Sequence, residues 1–388
     1  MQSKGKVFVG MSGGVDSSVS AALLRRDGYE VTGVFIKVWQ ADFLPCSWRE
    51  ERRDAMRAAA HLGIPFRTLD LEEAYKREVV DYMIREYAAG RVPNPDVMCN
   101  KYVKFGAFFE YAKAHGADWI ATGHYARRES QVTSHKSQES VKSQKSLPAD
   151  LQLQTCNYKL LVSIDSEKDQ SYFLWPLDQE VLAHTLFPVG GLIKQEVRTI
   201  AEQIGLPNAQ KKDSQGLCFI GKVDMVDFLK HYLHTVQGDV LSEDGEVIGL
   251  HAGAMLYTIG QRKKLDIKKI SEHEKPYFVV AKDIEANTIT VAHRDTWGES
   301  HSTQTLIIHD THLIDQTHTD AELGDAKITA RIRYRGELLP VEIRSGFHEG
   351  GETEVHIAQS TAGVAVGQSI VFYLGDECLG GGIIAEVR

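Results

Sequence analysis

The feature that most constrains this 388-residue chain is a glycine-containing string, SGGVDSS at residues 12–18, that lies between an apolar strand and a helix. Residues 6–11 predict the strand and residues 16–26 predict the helix. Gly13 and Gly14 have no Cβ atom, so the backbone can turn sharply and approach an anion closely. The backbone N–H groups and the positive end of the helix dipole would then face phosphate oxygens. The string predicts a phosphate-binding loop, although its serines and aspartate would also suit an ordinary capped turn.

Strands and helices alternate through the first part of the chain. Apolar runs predict strands, and helical periodicity separates them; the predicted strands are residues 31–36, 66–69 and 119–122, and the predicted helices are residues 48–61, 72–89 and 104–115. This alternation is typical of βαβ units and a parallel sheet. The expected fold class is therefore α/β, with a Rossmann-like parallel-sheet catalytic domain over residues 1–222.

The rest of the chain changes character. Residues 129–157 are rich in Ser, Gln and Lys, which predicts a flexible insertion in the catalytic domain. A helix is predicted again at residues 195–204. Residues 223–283 are expected to form a small mixed central domain. Residues 284–388 are punctuated by glycine and rich in Thr, Val and Ile, which predicts a C-terminal antiparallel β-barrel.

Composition limits the classes of protein to consider. The five cysteines are few and far apart, which suits a reducing cytoplasm, and the absence of a CxxC pair speaks against a zinc site or an iron–sulfur cluster. No apolar run approaches the ~20 residues that cross a membrane, and the N-terminus resembles no targeting signal. We expect a cytoplasmic protein. The formal net charge of −9 weighs mildly against binding to nucleic acid, but an acidic protein can still carry a basic patch.

Two cysteines lie in segments that suggest chemistry. Pro93 and Pro95 predict an extended loop that presents Cys99. The pair Lys211-Lys212 lies upstream of Cys218, and nearby positive charge favours the reactive thiolate. Taken alone, each cysteine is more often a small buried hydrophobic residue. Next to a phosphate-binding loop, however, two such cysteines point to nucleophilic sulfur chemistry.

The SGGVDS string resembles the PP-loop of the N-type ATP pyrophosphatases, which cleave ATP between its α and β phosphates. The resemblance implies that a carbonyl oxygen is adenylated, usually with magnesium present. Nearly the whole chain also resembles the tRNA-specific 2-thiouridylase family, block by block and in the same order. The blocks are GMSGGVDS (10–17), RVPNPD (91–96), ATGHY (121–125), KDQSYFL (168–174), FPVG (187–190), KDS (212–214), CFIG (218–221), TIGQR (258–262), ARIRYR (330–335), GQ (367–368) and CLGGG (378–382).

The resemblance implies a role for each matching residue. Cys218 would carry a persulfide, Cys99 would be the second catalytic cysteine, and Asp96 is suited to shuttle a proton near the target base. The positions that match ATP contacts are Gly10, Met11, Ser12, Gly13, Gly14, Val15, Asp16, Ser17, Ile36 and Gly123. Those that match contacts with the target base are Asn94, Pro95 and Asp96, and those that match tRNA contacts are His124, Lys168, Asp169, Gln170, Arg333, Tyr334 and Gln368.

The implied activity is that of a tRNA-uridine 2-sulfurtransferase. ATP would adenylate the C2 oxygen of the wobble uridine, and sulfur from the Cys218 persulfide would replace it, giving 2-thiouridine, AMP and pyrophosphate. Cys99 would either free sulfide or resolve a Cys99–Cys218 disulfide. The implied partners are tRNA and a sulfur donor, either a cysteine desulfurase or a sulfur-relay protein.

Two rival functions remain open at this point. Another PP-loop ligase would need neither Cys99 nor Cys218, so serine substitutions would leave it active. A non-catalytic RNA-binding protein would bind tRNA independently of ATP, and it leaves the SGGVDS string unexplained. Two local alternatives also stand. His124 could make a structural hydrogen bond, and Arg331, Arg333 and Arg335 could be either a solvated strand face or a phosphate-binding one.

Overall fold

The computed structural model describes residues 3–44, 48–132, 156–213, 224–262, 266–267, 275–293, 295, 303–318, 323, 326–344, 347, 350–361 and 363–388. Cys218 and residues 133–155 of the predicted insertion lie outside these ranges, as does Cys46. No helix within the described ranges is long and apolar enough to cross a membrane.

The first part of the chain forms an α/β domain, as its alternating pattern predicted. Its strands are β1 (Lys6–Gly10), β2 (Glu30–Lys37), β3 (Phe66–Asp70), β4 (Trp119–Ala121), β5 (Ala126–Val132), β6 (Cys156–Val162) and β7 (Thr185–Leu186). Five of them form a parallel sheet in the order β3-β2-β1-β4-β7. This order reverses direction between β1 and β4. In open α/β sheets, ligands bind outside the carboxyl ends of the strands at such a reversal.

Helices cover both faces of the parallel sheet. They are α1 (Val15–Arg26), α2 (Trp48–His61), α3 (Glu72–Tyr75), α4 (Asp81–Ala88), α5 (Pro95–Met98), α6 (Phe108–Ala114), α7 (Gln179–Ala183) and α8 (Lys194–Gln203). Two π-helical stretches connect pairs of these helices into longer, continuous ones. Lys76–Val80 joins α3 to α4, and Cys99–Ala107 joins α5 to α6. The apolar faces of these helices and of the sheet form two buried clusters.

The helix that contains Cys99 begins earlier than predicted. We expected an extended loop around Pro93 and Pro95 and a helix from residue 104, but the helix begins at Pro95. Proline is favoured in the first helical position because its missing N–H has no partner there anyway. The Asn94 side chain caps the helix by accepting from the Val97 N–H at 3.4 Å. The extended-loop prediction for Cys99 was therefore wrong.

The central part of the chain consists of helix α9 (Met225–Lys230) and a second sheet. The strands of that sheet are β8 (Gly238–Leu241), β9 (Val247–His251), β10 (Asp266–Ile267), β11 (Tyr277–Asp283) and β12 (Thr288–His293), in the order β10-β9-β8-β12-β11. The pairing of β12 with β8 is parallel, and the other pairings are antiparallel. Because β12 pairs inside this sheet, the central sheet continues to His293, past the boundary that we predicted at residue 283.

The last part of the chain is a closed antiparallel barrel, as predicted. Its strands are β13 (Thr303–Leu313), β14 (Thr329–Arg331), β15 (Leu339–Ile343), β16 (Thr353–Thr361), β17 (Ser369–Leu374) and β18 (Glu377–Val387). They pair in the order β13-β16-β15-β14-β17-β18, and β18 pairs back with β13 to close the barrel. Apolar side chains fill its interior.

The two ends of the predicted insertion are ordered strands. Residues 129–132 belong to β5 and residues 156–157 belong to β6, so the prediction of a flexible loop was wrong for these residues. The β5–β6 hairpin adds to the barrel sheet through pairing of β6 with β18. Lys159 on β6 donates to the buried Glu377 carboxylate on β18 at 2.5 Å. The hairpin therefore holds the barrel against the α/β domain.

We predict that two adjacent glycines differ sharply in their tolerance of alanine. A Cβ atom on Gly190 would lie 1.6 Å from the Ala126 carbonyl oxygen, whereas one on Gly191 would meet open space. Gly190→Ala should lower the free energy of unfolding by about 2 kcal/mol or more, because the backbone must shift to relieve the clash. Gly191→Ala should change it by less than about 0.5 kcal/mol. Thermal denaturation of the two variants tests this, and equal shifts in midpoint would contradict the close approach.

Candidate functional site

The SGGVDSS string lies at the carboxyl ends of the parallel strands, where the neighbouring strands β1 and β4 mark the reversal of strand order. Gly10 ends β1, and helix α1 begins at Val15 with Gly14 as its N-cap. Gly13 has a φ of +77°, and a Cβ atom there would lie 2.4 Å from the Glu51 carbonyl oxygen. Both facts demand glycine, so the sharp turn that the sequence predicted is present. The first N–H groups of α1 point out of this turn, where an anion is stabilised.

An asparagine far along the chain fixes the shape of this turn. The Asn208 side-chain amide donates to the carbonyl oxygens of Gly13 at 3.0 Å and Gly14 at 3.1 Å, and to the Ser18 hydroxyl at 3.0 Å. The Ser17 and Ser18 hydroxyls also donate to the Gly14 carbonyl, at 3.3 and 2.9 Å. The carbonyl groups of the turn are thus held back from the sheet edge. Sequence reasoning missed Asn208, since no local pattern connects it to the turn.

The other residues predicted to contact a nucleotide lie beside this turn. Gly123 follows β4, and a Cβ atom there would lie 2.6 Å from the Ser17 backbone nitrogen. Ile36 is buried near the end of β2, next to Gly10. Met11 is also buried, and its N–H donates to the Val34 carbonyl at 2.8 Å. The structure therefore brings residues 10–17, Ile36 and Gly123 together at one edge of the sheet.

A network of charged groups extends from the turn. Lys194, the first residue of α8, donates to both Asp16 carboxylate oxygens at 2.6 and 2.8 Å and lies 2.8 Å from an Asp213 oxygen. Asp213 also accepts from Lys168 at 2.6 Å and from Arg198 at 2.8 Å. Burial would raise the pKa of Asp213, but the hydrogen bonds from Lys168 and Lys194 outweigh it and lower the pKa to about 2. Sequence reasoning assigned no role to Lys194 or Asp213.

The segment that contains Cys99 lies in the same helix as Asp96. The two residues are three positions apart, so their side chains share one helix face. Cys99 has no exposed surface, whereas Asp96 is half-buried. A reactive cysteine is expected to be at least partly exposed. The Cys99 sulfur is therefore shielded from solvent in this structure.

The barrel contacts the segment that leads into this helix. The Gln368 side-chain amide donates to the carbonyl oxygens of Val92 at 2.9 Å and Pro93 at 3.2 Å, and the Val92 N–H donates to the Val366 carbonyl at 2.8 Å. The buried Tyr172 hydroxyl donates to the Ser369 carbonyl at 2.8 Å. Gln368, which was expected to contact tRNA, thus holds the segment that precedes Asn94.

The consecutive residues Lys168, Asp169 and Gln170 contact three different elements. Asp169 is buried, and its carboxylate accepts from the Arg331 guanidinium at 2.8 Å, from the Ser171 hydroxyl at 2.9 Å, and from two backbone N–H groups at 3.1 and 3.2 Å. Gln170 accepts from the Tyr125 N–H at 2.9 Å, and Lys168 reaches Asp213. Asp169 is enclosed by protein groups, so only Lys168 and Gln170 remain partly accessible in this block.

The three arginines of the ARIRYR block do not share a strand face. Strand β14 ends at Arg331, and the chain then turns, with Arg335 in the left-handed region at φ +58°. Arg331 pairs with Asp169, Arg333 is exposed, and Arg335 donates to the Glu167 carbonyl at 2.6 Å. The alternation predicted a continuous strand, and the turn makes that prediction wrong.

Tyr334 and His124 complete the set of residues expected at tRNA. The Tyr334 ring packs on Phe173 with centroids 4.4 Å apart, and the Arg335 guanidinium lies over the Tyr334 ring, 5.2 Å from its centroid. His124 is buried and hydrogen-bonds to the Thr122 hydroxyl at 2.7 Å. Burial, and then the positive charge of Lys104, lower the pKa of His124 well below 6.5, so its ring is neutral at pH 7. The structural hydrogen bond considered for His124 is therefore present.

Metal-binding groups are sparse in the part of the chain that the structure describes, which contains no cluster of three or more His, Cys, Asp or Glu side chains suited to a metal ion. Cys99 and Cys378 are both buried, and burial raises the pKa of the Cys378 thiol. Cys378 lies in barrel strand β18, away from the sheet edge, and its burial fits a structural role.

Three protein families match successive parts of the chain. Residues 5–222 match the tRNA methyl transferase HUP domain, residues 226–293 match the tRNA methyl transferase PRC-barrel domain, and residues 303–384 match the aminomethyltransferase beta-barrel domain. These limits agree with the three sheets, including the extension of the central unit to His293.

Whole-chain similarity extends to curated bacterial proteins. The chain is 41% identical to tRNA-specific 2-thiouridylase MnmA of Enterococcus faecalis over 98% of its own length and 96% of the relative. It is 42% identical to the protein of the same name from Idiomarina loihiensis, with 98% and 96% covered. The corresponding protein from Geobacillus thermodenitrificans is 42% identical, with 98% and 95% covered.

We predict that Asp169 supports the structure and does not itself bind RNA. Asp169→Ala would leave the Arg331 side chain, which is only 16% exposed, without its carboxylate. The free energy of unfolding should fall by about 3–5 kcal/mol, the usual effect of breaking a buried pair. Adding Arg331→Met should recover part of this loss, while Asp27→Ala, in an exposed pair, should have little effect. A stable Asp169→Ala protein that has lost only RNA affinity would refute this assignment.

The low pKa of Asp213 predicts a specific pH dependence. A carboxylate whose pKa is depressed in the folded protein stabilises it at pH values above its ordinary pKa of about 4, and this contribution is lost as the pH falls. With a folded pKa of about 2, the loss should occur between about pH 4 and pH 2. The difference in denaturation midpoint between the wild-type protein and Asp213→Asn should therefore shrink across this window. A difference that is constant from pH 6 to pH 2 would show that Asp213 is not held by these cations.

Proposed function

The chain belongs to the tRNA-specific 2-thiouridylase family, and we propose from that premise how its residues share the work of the reaction. It is an ATP-dependent tRNA-uridine 2-sulfurtransferase. One observation supports the proposal most directly. The glycine turn, Ile36 and Gly123 lie together at the point where the sheet reverses its strand order. The geometry supports phosphate binding there.

ATP would bind with its phosphates against the first turn of α1. Gly13 and Gly14 allow the close approach, Ser12 is exposed at the mouth of the turn, and Asn208 keeps the carbonyl dipoles turned away from the anion. The C2 oxygen of the uridine attacks the α phosphate, and pyrophosphate leaves. The oxygen, otherwise a poor leaving group, can then depart as part of AMP.

The carboxylates near the turn fit a magnesium ion that arrives with ATP. Asp16 and Asp213 contact the same Lys194 ammonium group, so their oxygens are close to each other. Magnesium is usually held by one or two carboxylates together with substrate phosphates. Asp16 and Asp213 would hold the ion, which would neutralise phosphate charge there.

Sulfur transfer would use both cysteines. The terminal sulfur of a Cys218 persulfide attacks C2, AMP leaves, and the base is joined to Cys218 through two sulfur atoms. The Cys99 thiolate then attacks the Cys218 sulfur, which releases 2-thiouridine and leaves a Cys99–Cys218 disulfide that an external reductant must open. In the alternative order, Cys99 attacks the persulfide first and frees sulfide, which then attacks C2; the same disulfide results.

Asp96 and Asn94 would act at the target base. Asp96 lies on the helix face that also contains Cys99, which suits a proton shuttle between the base and the solvent. Asn94 caps the helix, so the residues that meet the base are fixed by the helix start rather than by a loop. Rigid placement of this kind favours accurate positioning of the reacting atoms.

Binding of tRNA would involve the surface on which the barrel meets the α/β domain. Lys168, Gln170, Arg333 and Tyr334 are at least partly exposed there, and arginine and lysine are the usual phosphate contacts. Asp169, Gln368 and His124 support the same surface from beneath through the hydrogen bonds described above. We also propose that the reaction takes place in the cytoplasm and that a cysteine desulfurase or a sulfur-relay protein supplies the persulfide sulfur.

We predict that the purified protein makes 2-thiouridine in unmodified tRNA when it is supplied with ATP and a persulfide donor. Cys99→Ser and Cys218→Ser should each abolish the product, because each removes a thiol that the sulfur chemistry needs. Nucleoside mass spectrometry measures the product and separates exchange of oxygen for sulfur from addition of a methyl group.

The buried Cys378 provides the matched control for this experiment. Cys378→Ser removes a thiol of the same kind in the barrel and should retain thiolation if the protein stays folded. If AMP and pyrophosphate form without 2-thiouridine, the adenylation step stands and the sulfur step is wrong. If both serine variants at positions 99 and 218 remain active, the two-cysteine mechanism is wrong.

A further inference from the structure

Three arginines form a ridge along the solvent-exposed side of helix α2. Arg49, Arg53 and Arg57 follow one another at intervals of four residues, which places them on one helix face, and all three are exposed. The opposite side of α2 packs its alanines against the sheet and α1. We call these three residues the arginine ridge.

The charge of the arginine ridge is only weakly neutralised within the protein. Among the residues that the structure describes, no carboxylate forms an ion pair with Arg49 or Arg53. Arg57 lies 3.8 Å from Asp54, and Glu50 is an exposed carboxylate at the margin of the same face. Like charges four residues apart destabilise a helix. The ridge therefore costs stability within α2, and its charge is available to a binding partner.

An exposed methionine lies beside the arginine ridge. Met56 is 41% exposed, three residues after Arg53 and directly before Arg57. Methionine and arginine are enriched in protein–protein interfaces, whereas lysine is depleted there, and α2 contains no lysine. Contacts with RNA phosphates use lysine as well as arginine, and they gain nothing from an exposed thioether. The composition of this face therefore favours a protein partner that has carboxylates on its surface.

The arginine ridge is linked to the segment that leads towards the proposed persulfide-carrying cysteine. The Asp54 carboxylate, which lies next to Arg57, accepts from the Lys211 ammonium group at 2.7 Å. Two residues later, Asp213 accepts from Lys168 at 2.6 Å, on the surface that we propose for tRNA. Residues 211–213 therefore run between α2 and the proposed tRNA surface.

The covalent chain limits the distance from this segment to the cysteine. Cys218 follows Asp213 by five residues, and five residues span at most about 18 Å. A small domain has a diameter of about 30 Å. A protein bound to α2 is therefore large enough to reach Cys218 with a cysteine of its own.

We propose that the arginine ridge and Met56 form the docking surface for the protein that supplies sulfur to Cys218, and that this protein has carboxylates beside its own persulfide. This inference rests on the proposed function, because it names the surface at which that sulfur arrives. The chain has a formal net charge of −9, so the ridge attracts locally an acidic partner that the protein as a whole repels. A partner on α2 also leaves the proposed tRNA surface free.

Sulfur passes between the two proteins by thiol–persulfide exchange. The Cys218 thiolate attacks the terminal sulfur of the donor persulfide, and the S–S bond of the donor breaks as the new S–S bond forms. The terminal sulfur moves to Cys218 with its hydrogen, and the donor cysteine leaves as a thiolate. No oxidant or reductant enters this step. The transfer requires contact between two proteins, whereas dissolved sulfide can reach the activated base without a donor protein.

The test measures transfer of labelled sulfur to the full-length protein from each purified cysteine desulfurase and persulfide-carrying protein of the same organism, supplied with radiolabelled cysteine. Arg49→Glu combined with Arg53→Glu should slow this transfer roughly tenfold or more at low salt, because reversed charge slows electrostatically steered association. The difference should shrink at high salt, which screens the charges. Met56→Ser should slow the transfer at both salt concentrations, and Arg49→Lys combined with Arg53→Lys should retain most of it.

A matched control changes the same number of charges elsewhere. Arg77 and Arg85 are exposed and belong to the continuous helix on the opposite face of the sheet. Arg77→Glu combined with Arg85→Glu should leave sulfur transfer unchanged. In the Arg49→Glu, Arg53→Glu protein, formation of 2-thiouridine from dissolved sulfide and affinity for tRNA should stay within about twofold of the wild type. Thermal denaturation confirms that each variant is folded.

Four results would overturn the inference. They are unchanged transfer in the Arg49→Glu, Arg53→Glu protein, an equal loss in the control variant, weaker tRNA binding in parallel with the slower transfer, and a wild-type protein that takes sulfur from none of the donor proteins. The third result would assign the arginine ridge to RNA. Label on the protein and 2-thiouridine in tRNA are measured separately. A wild-type protein that accepts sulfur through the ridge but makes no 2-thiouridine would refute the proposed function alone.

Discussion

The Asp169 carboxylate of the α/β domain is buried where it meets the Arg331 guanidinium of the barrel. Burial of a charge is costly unless hydrogen bonds and an opposite charge compensate it. Asp169 meets this demand with the Arg331 guanidinium, the Ser171 hydroxyl and two backbone N–H groups. Ser163 and Ser171 lie close to Asp169 in the chain, so the Arg331 guanidinium is the one of these partners that comes from the barrel. This ion pair helps to fix the barrel beside the partly exposed residues Lys168 and Gln170.

The local patterns of the sequence predicted most of the α/β domain. Helix Trp48–His61 has the bounds that its periodicity indicated, and the four predicted strands of the parallel sheet differ from the prediction by a residue or two at their ends. The fifth strand, Thr185–Leu186, was not predicted. The glycine turn was also predictable, because the string at residues 12–18 lies between an apolar strand and a helix, and Gly13 has the positive φ that such a turn requires. Strand and helix patterns of this kind depend on near neighbours in the chain, and near neighbours are what a single sequence displays.

The features that could not be predicted depend on distant residues or on position within an element. Pro95 indicates an extended segment as readily as a helix start, and the cap made by Asn94 decides between them. Asn208 and Lys194 have no local signal, because their partners in the turn lie far away in the chain. The arginine alternation failed for a related reason. A strand that ends at Arg331 and a strand that continues have the same local pattern.

In the mechanism proposed above, the burial of Cys99 bears on the order of events in sulfur transfer. Because Cys99 is buried, its sulfur is shielded from dissolved thiols and would react only with a group brought to it within the protein. Cys99 begins a π-helical stretch, a geometry that is rare and concentrated at functional sites. The next residue, Asn100, donates to the carbonyl of Phe173 at 3.0 Å, and the Phe173 ring packs on Tyr334 of the barrel. In the mechanism proposed above, contact of a tRNA with Tyr334 would therefore act, through Phe173 and Asn100, on the helix that contains Cys99. A Cys99 thiol that stays buried until the proposed substrate docks would not discharge the proposed Cys218 persulfide before then.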